Sequence, residues 1–249
     1  MKIISWNCNG ALRKKLLEID SLEADILVIQ ECEDPAQSTK AYKEWAGDYL
    51  WVGESKNKGI GIFPKNNNIV KKLEWFGEFK LSGVKSNSKS LNWSTNSLRL
   101  FLPFVINEKI NALGVWTKGK DNEVFGYIGQ FWKYFQIHKN NLARTNQIII
   151  GDFNSNKIWD KTDRWWNHSD VINDLESIDI HSLYHHQFGE EQGNESHPTF
   201  YLHRNEEKPY HIDYAFVSKE YLNSNLELGE KEMWLSVSDH LPIILNLQS

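Results

Sequence analysis

Residues 147–156 read QIIIGDFNSN, and the fold turns on this stretch. Three successive isoleucines, Ile148 to Ile150, suit a buried strand, and Gly-Asp-Phe-Asn-Ser then breaks it. Asp152 and Asn154 therefore arrive together at a strand end, with only Phe153 between them. Turn residues of this kind most often make a turn and nothing else. Elsewhere in the chain the same grammar recurs. ISWNCNG ends an apolar run in Asn7 and Asn9, and LVIQECE ends one in Gln30 and Glu31. HIDYAF carries His211 and Asp213, and VSDHLPII sets Asp239 and His240 immediately before the last apolar run.

Ten runs read as strands: KIISW, ADILVIQ, YLWVG, GIGIF, LRLFLPFVI, NALGVW, QIIIG, PTFYL, HIDYAFV and LPIILNL. Three segments read as helices. LRKKLLEIDSL follows the first strand, VFGYIGQFWKYFQIHKN puts Ile128, Trp132 and Phe135 on one face, and DVINDLESI follows an N-cap pair, Asn167 with Asp170. Hairpin-length connections and clustered helices suit an α/β domain of two packed sheets with helices outside, rather than a parallel barrel. Without a Pro-rich linker, a low-complexity tail or a fixed repeat, residues 1–249 form one domain.

Composition excludes several classes. At 249 residues, 40% hydrophobic and 24% charged, the chain has the make-up of a folded soluble protein. The start MKIISWNCNG lacks a signal-peptide core and no window reaches the apolar length of a spanning helix, so a cytoplasmic location is expected. Cys8 and Cys32 fit that compartment as buried thiols. A net charge of −5 argues against a general polyanion binder. Locally the balance differs: Lys56, Lys58, Lys65, Lys71, Lys72, Lys80, Lys85 and Lys89 face only Glu74 and Glu78 between positions 56 and 90. That stretch is either a solvated surface or an attractor for phosphate.

Convergence of the strand ends would gather Glu31, Asp152, Asp213 and Asp239 with Asn7, Asn154 and His240 around them. So many carboxylates repel one another without a cation, and oxygen donors favour a hard ion such as Mg²⁺ or Mn²⁺. Zinc is a weaker reading. His181 and His185 stand four apart, but no HExxH glutamate or cysteine accompanies them.

In this order, SWNCNG, IQE, GDFNSN, HIDYAFVS and SDHLPI resemble the motif set of the endonuclease/exonuclease/phosphatase superfamily, from Ser5 to Ile243. The resemblance implies a four-layer α/β sandwich of two mainly antiparallel sheets and Mg²⁺-dependent cleavage of phosphoester bonds. It makes Glu31 the principal metal ligand, Asn7 its neighbour and Asp239 a residue of the metal or phosphate side. Asp152 would orient and deprotonate the attacking water, Asn154 would hold the scissile phosphate, and His240, oriented by Asp213, would donate to a phosphate oxygen. Asn9, Trp116, Lys118 and His211 are the further substrate-binding candidates. Where family nucleases place a histidine or tyrosine, this chain has Trp116, which cannot serve as acid or base and is equally a core residue. Lys118 and Tyr127 are then the candidates for leaving-group protonation. The histidines from His181 to His211 are expected in loops at the rim of the phosphate site, and Trp165 and Trp166 either stack on a base or pack. The function expected is a phosphodiester hydrolase, first of all a nuclease on DNA or RNA, acting as a monomer. Alternatives are a phosphatase or phosphodiesterase on a small molecule or lipid headgroup, and a non-catalytic binding module. Against the last stand Glu31, Asp152 and His240, all present.

Overall fold

A computed structural model describes residues 1–80, 83, 91–119 and 123–248. The strands come in chain order as β1 (Lys2–Asn7), β2 (Ile26–Cys32), β3 (Leu50–Ser55), β4 (Lys58–Pro64), β5 (Val70–Lys72), β6 (Glu78–Lys80), β7 (Asn92–Ser94) and β8 (Phe101–Ile106). After them follow β9 (Ile110–Trp116), β10 (Gln147–Asp152), β11 (Ile180–Ser182), β12 (Phe200–Tyr201), β13 (Pro209–Tyr210), β14 (Asp213–Ser218), β15 (Asn225–Leu228) and β16 (Ile243–Asn246). They build two six-stranded sheets, ordered β15-β16-β1-β2-β4-β3 and β11-β14-β10-β9-β8-β5, with β6-β7 and β12-β13 as separate hairpins. In each large sheet a single neighbouring pair is parallel, β1 with β2 and β9 with β10, so both are mainly antiparallel, as expected.

The isoleucines of β10 show how the layers arise. Ile148 and Ile150 point into a core between the sheets with Val28, Ile60, Leu102, Ala215 and Leu245. Ile149 points the other way, onto Phe131 and Phe135 of α3 (Ile128–Leu142) and Leu175 of α4 (His168–Glu176). Each fully buried isoleucine is worth about 1.5–3 kcal/mol relative to exposure, which is why no polar side chain stands between Gln147 and Asp152 in this strand. On the outer face of the first sheet, Ile4, Trp6, Leu27 and Ile29 pack against Ile19 of a short helix (Leu16–Asp20), Tyr42 and Ala46 of another (Lys40–Ala46), and Trp234. Four layers result, helix, sheet, sheet and helix.

Agreement with the sequence is closest where hydrophobic runs are long. The capping box of Asn167 and Asp170 opens α4. In α3, Ile128, Phe131 and Phe135 are buried but Trp132 only half so, because the apolar face centres on Phe131 and Tyr134 instead. LRKKLLEIDSL forms a 3₁₀ turn (Leu12–Lys14) and only a five-residue helix, broken at Lys15. Two- and three-residue strands and the helices Lys40–Ala46, Leu183–Phe188 and Lys231–Trp234 carried no periodic signal, being too short for one. Both cysteines are free and fully buried, and burial pushes the Cys8 thiol up to about 12. Among the described residues no helix is long and apolar enough to cross a membrane.

Candidate active site

Three ends of the first sheet and two of the second meet at one edge of the sandwich. Asn7 closes β1, Glu31 lies near the end of β2, and His240 precedes β16; opposite them Asp152 closes β10 and Asp213 opens β14, where the two aspartates are register partners. The backbone is shaped to allow this. Gly151 has φ +151°, and a Cβ there would lie 1.9 Å from the Val115 carbonyl oxygen, so the parallel partner strand can approach only a glycine. Glu31 occupies the extra position of a β-bulge between Gln30 and Cys32, with φ +60°, which re-aims its side chain. Asn154 has φ +45°, tolerated by asparagine, and its N–H donates to Asp152 Oδ1 at 2.8 Å, a local Asx turn.

One amide joins the sheets. Asn7 Nδ2 donates to Asp152 Oδ2 at 2.9 Å and reaches Glu31 Oε1 at 3.4 Å, while its Oδ1 accepts from the Asn9 N–H at 3.0 Å. Asp152 Oδ2 also accepts from Asn154 Nδ2 at 2.8 Å. On the far side His240 Nδ1 donates to Asp213 at 2.9 and 3.2 Å, leaving Nε2 4.0 Å from Asp152 Oδ2. The ring is held from behind. Trp6 Nε1 donates to the His240 carbonyl, and the His240 N–H donates to Ser238 Oγ, itself donating to the Asn7 carbonyl. Thr199 Oγ1 accepts the N–H groups of Ile212 and Asp213 at 3.0 Å each.

Electrostatics set the protonation states. Complete burial pushes the Asp152 carboxyl up to about 7; Asp213 adds to that, and His240 and the hydrogen bonds from Asn7 and Asn154 oppose it. For His240, burial works against the charged ring, but the carboxylates of Asp213 and Asp152 outweigh it and raise the imidazole to about 9. At neutral pH the ring is an imidazolium beside a carboxyl close to its own midpoint.

The donor set suits a hard cation. Glu31 engages Lys58 Nζ through one oxygen, so the acid already draws a positive charge to this spot. Among the described residues the Asp239 carboxylate makes no hydrogen bond and no ion pair, and carboxylate oxygens of Asp152 and Asp213 lie within 4.8 Å of each other. Clustered carboxylate oxygens match a hard divalent ion better than a soft one.

Six of the sequence-derived residues, Asn7, Glu31, Asp152, Asn154, Asp213 and His240, are thus brought together. Asn9 joins them through its backbone N–H and has an exposed side chain. Trp116 lies beside Asp152 in register, 4% exposed and packed into the inter-sheet core. Lys118 pairs with Glu54 at 2.9 Å, its ammonium 5.4 Å from the Trp116 ring. Tyr127 is half exposed, and its N–H bonds the Lys118 carbonyl. His211 is not at the surface of the site: it is buried against Tyr184 and Tyr214, at ring distances of 4.4 and 4.9 Å, with Nδ1 on the His197 carbonyl. Of the other histidines, His197 lies in an exposed loop but His181 and His185 do not. His181 lies in β11 and His185 in the helix α5 (Leu183–Phe188), bound to Glu195, so the two share no helix. Trp165 is 62% exposed, whereas Trp166 is buried against Phe125.

The lysine-rich stretch is largely neutralised. Lys71 pairs with Glu108 at 2.5 Å, Lys72 with Glu74 at 3.0 Å and Lys80 with Glu78 at 3.5 Å, while Lys65 covers Trp45. Lys85 and Lys89 lie outside the described residues. Composition alone did not single out Lys58, Thr199, Ser238 or a cavity of about 440 Å³ beside Asn154, lined by Tyr127, Trp159, Phe200 and Tyr210. Of these only the aromatic composition of the loops hinted at the cavity. Phe200 lies 4.6 Å from the His240 ring at a tilt of 47°, so the cavity adjoins the polar centre.

No curated protein sequence matches the chain. Among solved structures, the 3'-5' exonuclease NExo of Neisseria meningitidis superposes over the whole of both chains with a TM-score of 0.69 at 17% identity. An AP endonuclease from Archaeoglobus fulgidus does so with 0.64 at 16%, also over both whole chains. TDP2 from Caenorhabditis elegans gives 0.62 at 14%, over all of this chain and 75% of that one. At these identities the likeness establishes the fold. The model of the Endonuclease/Exonuclease/phosphatase family matches residues 4–240, a span that contains every site residue from Asn7 to His240. The chain therefore belongs to the endonuclease/exonuclease/phosphatase family of divalent-metal-dependent phosphoester hydrolases.

Proposed function

We propose that the protein is a Mg²⁺-dependent nuclease that hydrolyses phosphodiester bonds by in-line attack of water. The observation that carries this reading is the hydrogen-bonded array of Asn7, Asp152 and Asn154 facing the His240–Asp213 pair across the 4.0 Å gap from Nε2 to Oδ2. Displacement at phosphorus demands alignment and charge neutralisation more than covalent chemistry. Glu31, Asn7 and Asp239 would hold the cation, which neutralises charge on the phosphate when bound. Asp152, lifted to about 7 by burial, orients a water and accepts its proton. Asn154, whose Nδ2 hydrogens rest on Asp152 Oδ2 and the Thr117 carbonyl, would turn one of them to a phosphate oxygen when substrate binds. His240, held charged and aimed by Asp213, donates through Nε2 to another oxygen as negative charge builds there. Lys118, its ammonium 5.4 Å from the Trp116 ring, and Tyr127 remain the candidates for supplying a proton to the leaving group. The aromatic cavity beside Asn154 matches the sugar or base flanking the scissile phosphate, since rings offer stacking to any base. Two buried, unpaired cysteines support a reducing, cytoplasmic setting, and the reading requires no second chain.

One observation favours a smaller substrate. Lys71, Lys72 and Lys80 are neutralised by glutamates and the net charge is −5, so among the described residues this stretch offers no broad basic strip to a long polyanion. A nucleotide-sized or other small phosphodiester would need only the centre and the cavity. A panel of DNA, RNA, nucleotide and phosphomonoester substrates, each assayed with Mg²⁺, Mn²⁺ and EDTA, separates the two. Cleavage of an oligonucleotide abolished by EDTA supports the nuclease; turnover of small esters alone replaces it, and turnover of none leaves a binding module.

A further inference from the structure

Behind the loop that carries Asp152 and Asn154 lies a closed ring of side-chain hydrogen bonds that the roles above do not use. It begins on Ser155 and ends on Asn156, adjacent residues of that loop. Ser155 Oγ meets His168 Nδ1 at 3.2 Å, and His168 Nε2 meets Gln192 Oε1 at 3.0 Å. Gln192 Nε2 then reaches His185 Nδ1 at 3.2 Å, and His185 Nε2 meets Glu195 Oε1 at 3.1 Å. Asn156 Nδ2 closes the circuit on Glu195 Oε2 at 2.9 Å. Ser155, Asn156 and His168 are buried, and the Glu195 side chain is only 3% exposed.

The direction of every bond in the ring follows from Glu195. Burial works to raise its carboxyl, but hydrogen bonds from His185, Asn156 and the Gly193 N–H outweigh that and hold it at about 2, so it accepts only. His185 must then carry a proton on Nε2, and because Gln192 Nε2 can only donate, His185 Nδ1 is the acceptor, sharing its lone pair with Ser182 Oγ at 2.7 Å. Gln192 therefore turns its oxygen to His168, whose proton sits on Nε2, and His168 Nδ1 accepts the Ser155 hydroxyl. Asn156 has further duties. Its Nδ2 donates to the His211 carbonyl at 3.0 Å, two residues before Asp213, and its Oδ1 accepts from the Ile158 N–H at 3.1 Å. The ring thus ties the segment bearing Asn154 to the one entering Asp213. A buried polar partner left unmade costs about 1–3 kcal/mol, so the loop has little freedom to drift while the ring is closed.

We propose that the ring Ser155–His168–Gln192–His185–Glu195–Asn156 positions the catalytic loop, with His168, His185, Gln192 and Glu195 as positioning residues that keep Asn154 and Asp152 aligned with the phosphate. This rests on the phosphoesterase reading of the site. Supporting groups of this kind change activity by about 10- to 100-fold when altered.

Two near-isosteric variants, Gln192→Glu and Glu195→Gln, test it in the full chain, with histidine imidazole ¹⁵N spectra of the wild type alongside. In the wild type, His168 and His185 should both be neutral and protonated on Nε2. Both variants should lower kcat by about 10- to 100-fold with KM within about twofold, while circular dichroism and Tm report an intact fold. The double variant should be scarcely worse than either single one. Folded variants with unchanged kcat overturn the proposal, as does a wild type with His168 protonated on Nδ1 or a doubly protonated His185. If Glu195→Gln does not fold, Gln192→Glu and the spectra decide. A wild type that cleaves no substrate defeats the phosphoesterase reading instead; the spectra, and the side-chain amide signal of Asn154 in the variants, then still decide whether the ring holds the loop.

Discussion

His240 and Asp213 concentrate the chemistry into one contact, 2.9 Å long and buried. Because the folded imidazole is raised to about 9, the charged ring persists to that pH and is lost above it. Asp152 must be ionised to accept a proton, so activity should rise with pH through its value of about 7; an adjacent divalent cation would draw that limb lower. A bell-shaped profile is expected, falling on the alkaline side near 9. Asp213→Asn keeps the shape and removes the charge, so the alkaline limb should move toward the ordinary histidine value of about 6.5, with a large loss of kcat. Profiles of kcat against pH for wild type, Asp213→Asn, His240→Ala and the double variant check this; multiplicative losses would mean that Asp213 does not act through His240. These residues were legible because acids, amides and a histidine at strand ends are unusual neighbours for apolar runs. Thr199 and Ser238 were not, since a hydroxyl that accepts a backbone N–H leaves no pattern in sequence. His211, a substrate-binding candidate by sequence, has its ring packed against Tyr184, a burial that a lone histidine in sequence does not reveal.

At the scale of the element, β10 does two jobs that its sequence announces separately. Its alternating isoleucines fill the inner and outer cores, and Gly151 lets the strand run against β9 to deliver Asp152. Gly151→Ala should therefore destabilise the fold by more than about 1 kcal/mol, through both the positive φ and the contact with Val115. Chemical denaturation measures this, and an unchanged midpoint would contradict the account of the strand. Long strands and α4 with its capping box could be read from periodicity and cap chemistry. The bulge at Glu31 could not, because one extra residue in a strand alters no hydrophobic pattern that a short window can register. Short edge strands and single-turn helices are likewise set by what they pack against, not by their own residues.

Over the whole molecule, two sheets with mainly antiparallel order place five strand ends at one edge, and a family match over residues 4–240 covers that arrangement. Two packed sheets with helices outside followed from counting apolar runs and their spacing, whereas the four layers and the mainly antiparallel order came from the family resemblance. Charge was harder to read, because a run of lysines in sequence says nothing of the glutamates that meet it in space, such as Glu108 against Lys71. Reversing Lys71, Lys72 and Lys80 to glutamate should therefore leave KM and its salt dependence within about twofold, since exposed pairs of this kind contribute at most about 1 kcal/mol. A steep loss of affinity in that triple variant, measured from 50 to 200 mM salt, would instead make the segment a binding surface. The most direct test of the central claim is single-turnover cleavage of an oligonucleotide by wild type and Glu31→Gln across a Mg²⁺ titration. Wild-type cleavage should rise with Mg²⁺ and vanish in EDTA, and the variant should be slower by at least about 100-fold at saturating metal. Equal rates for the two proteins, or undiminished cleavage in EDTA, would contradict it.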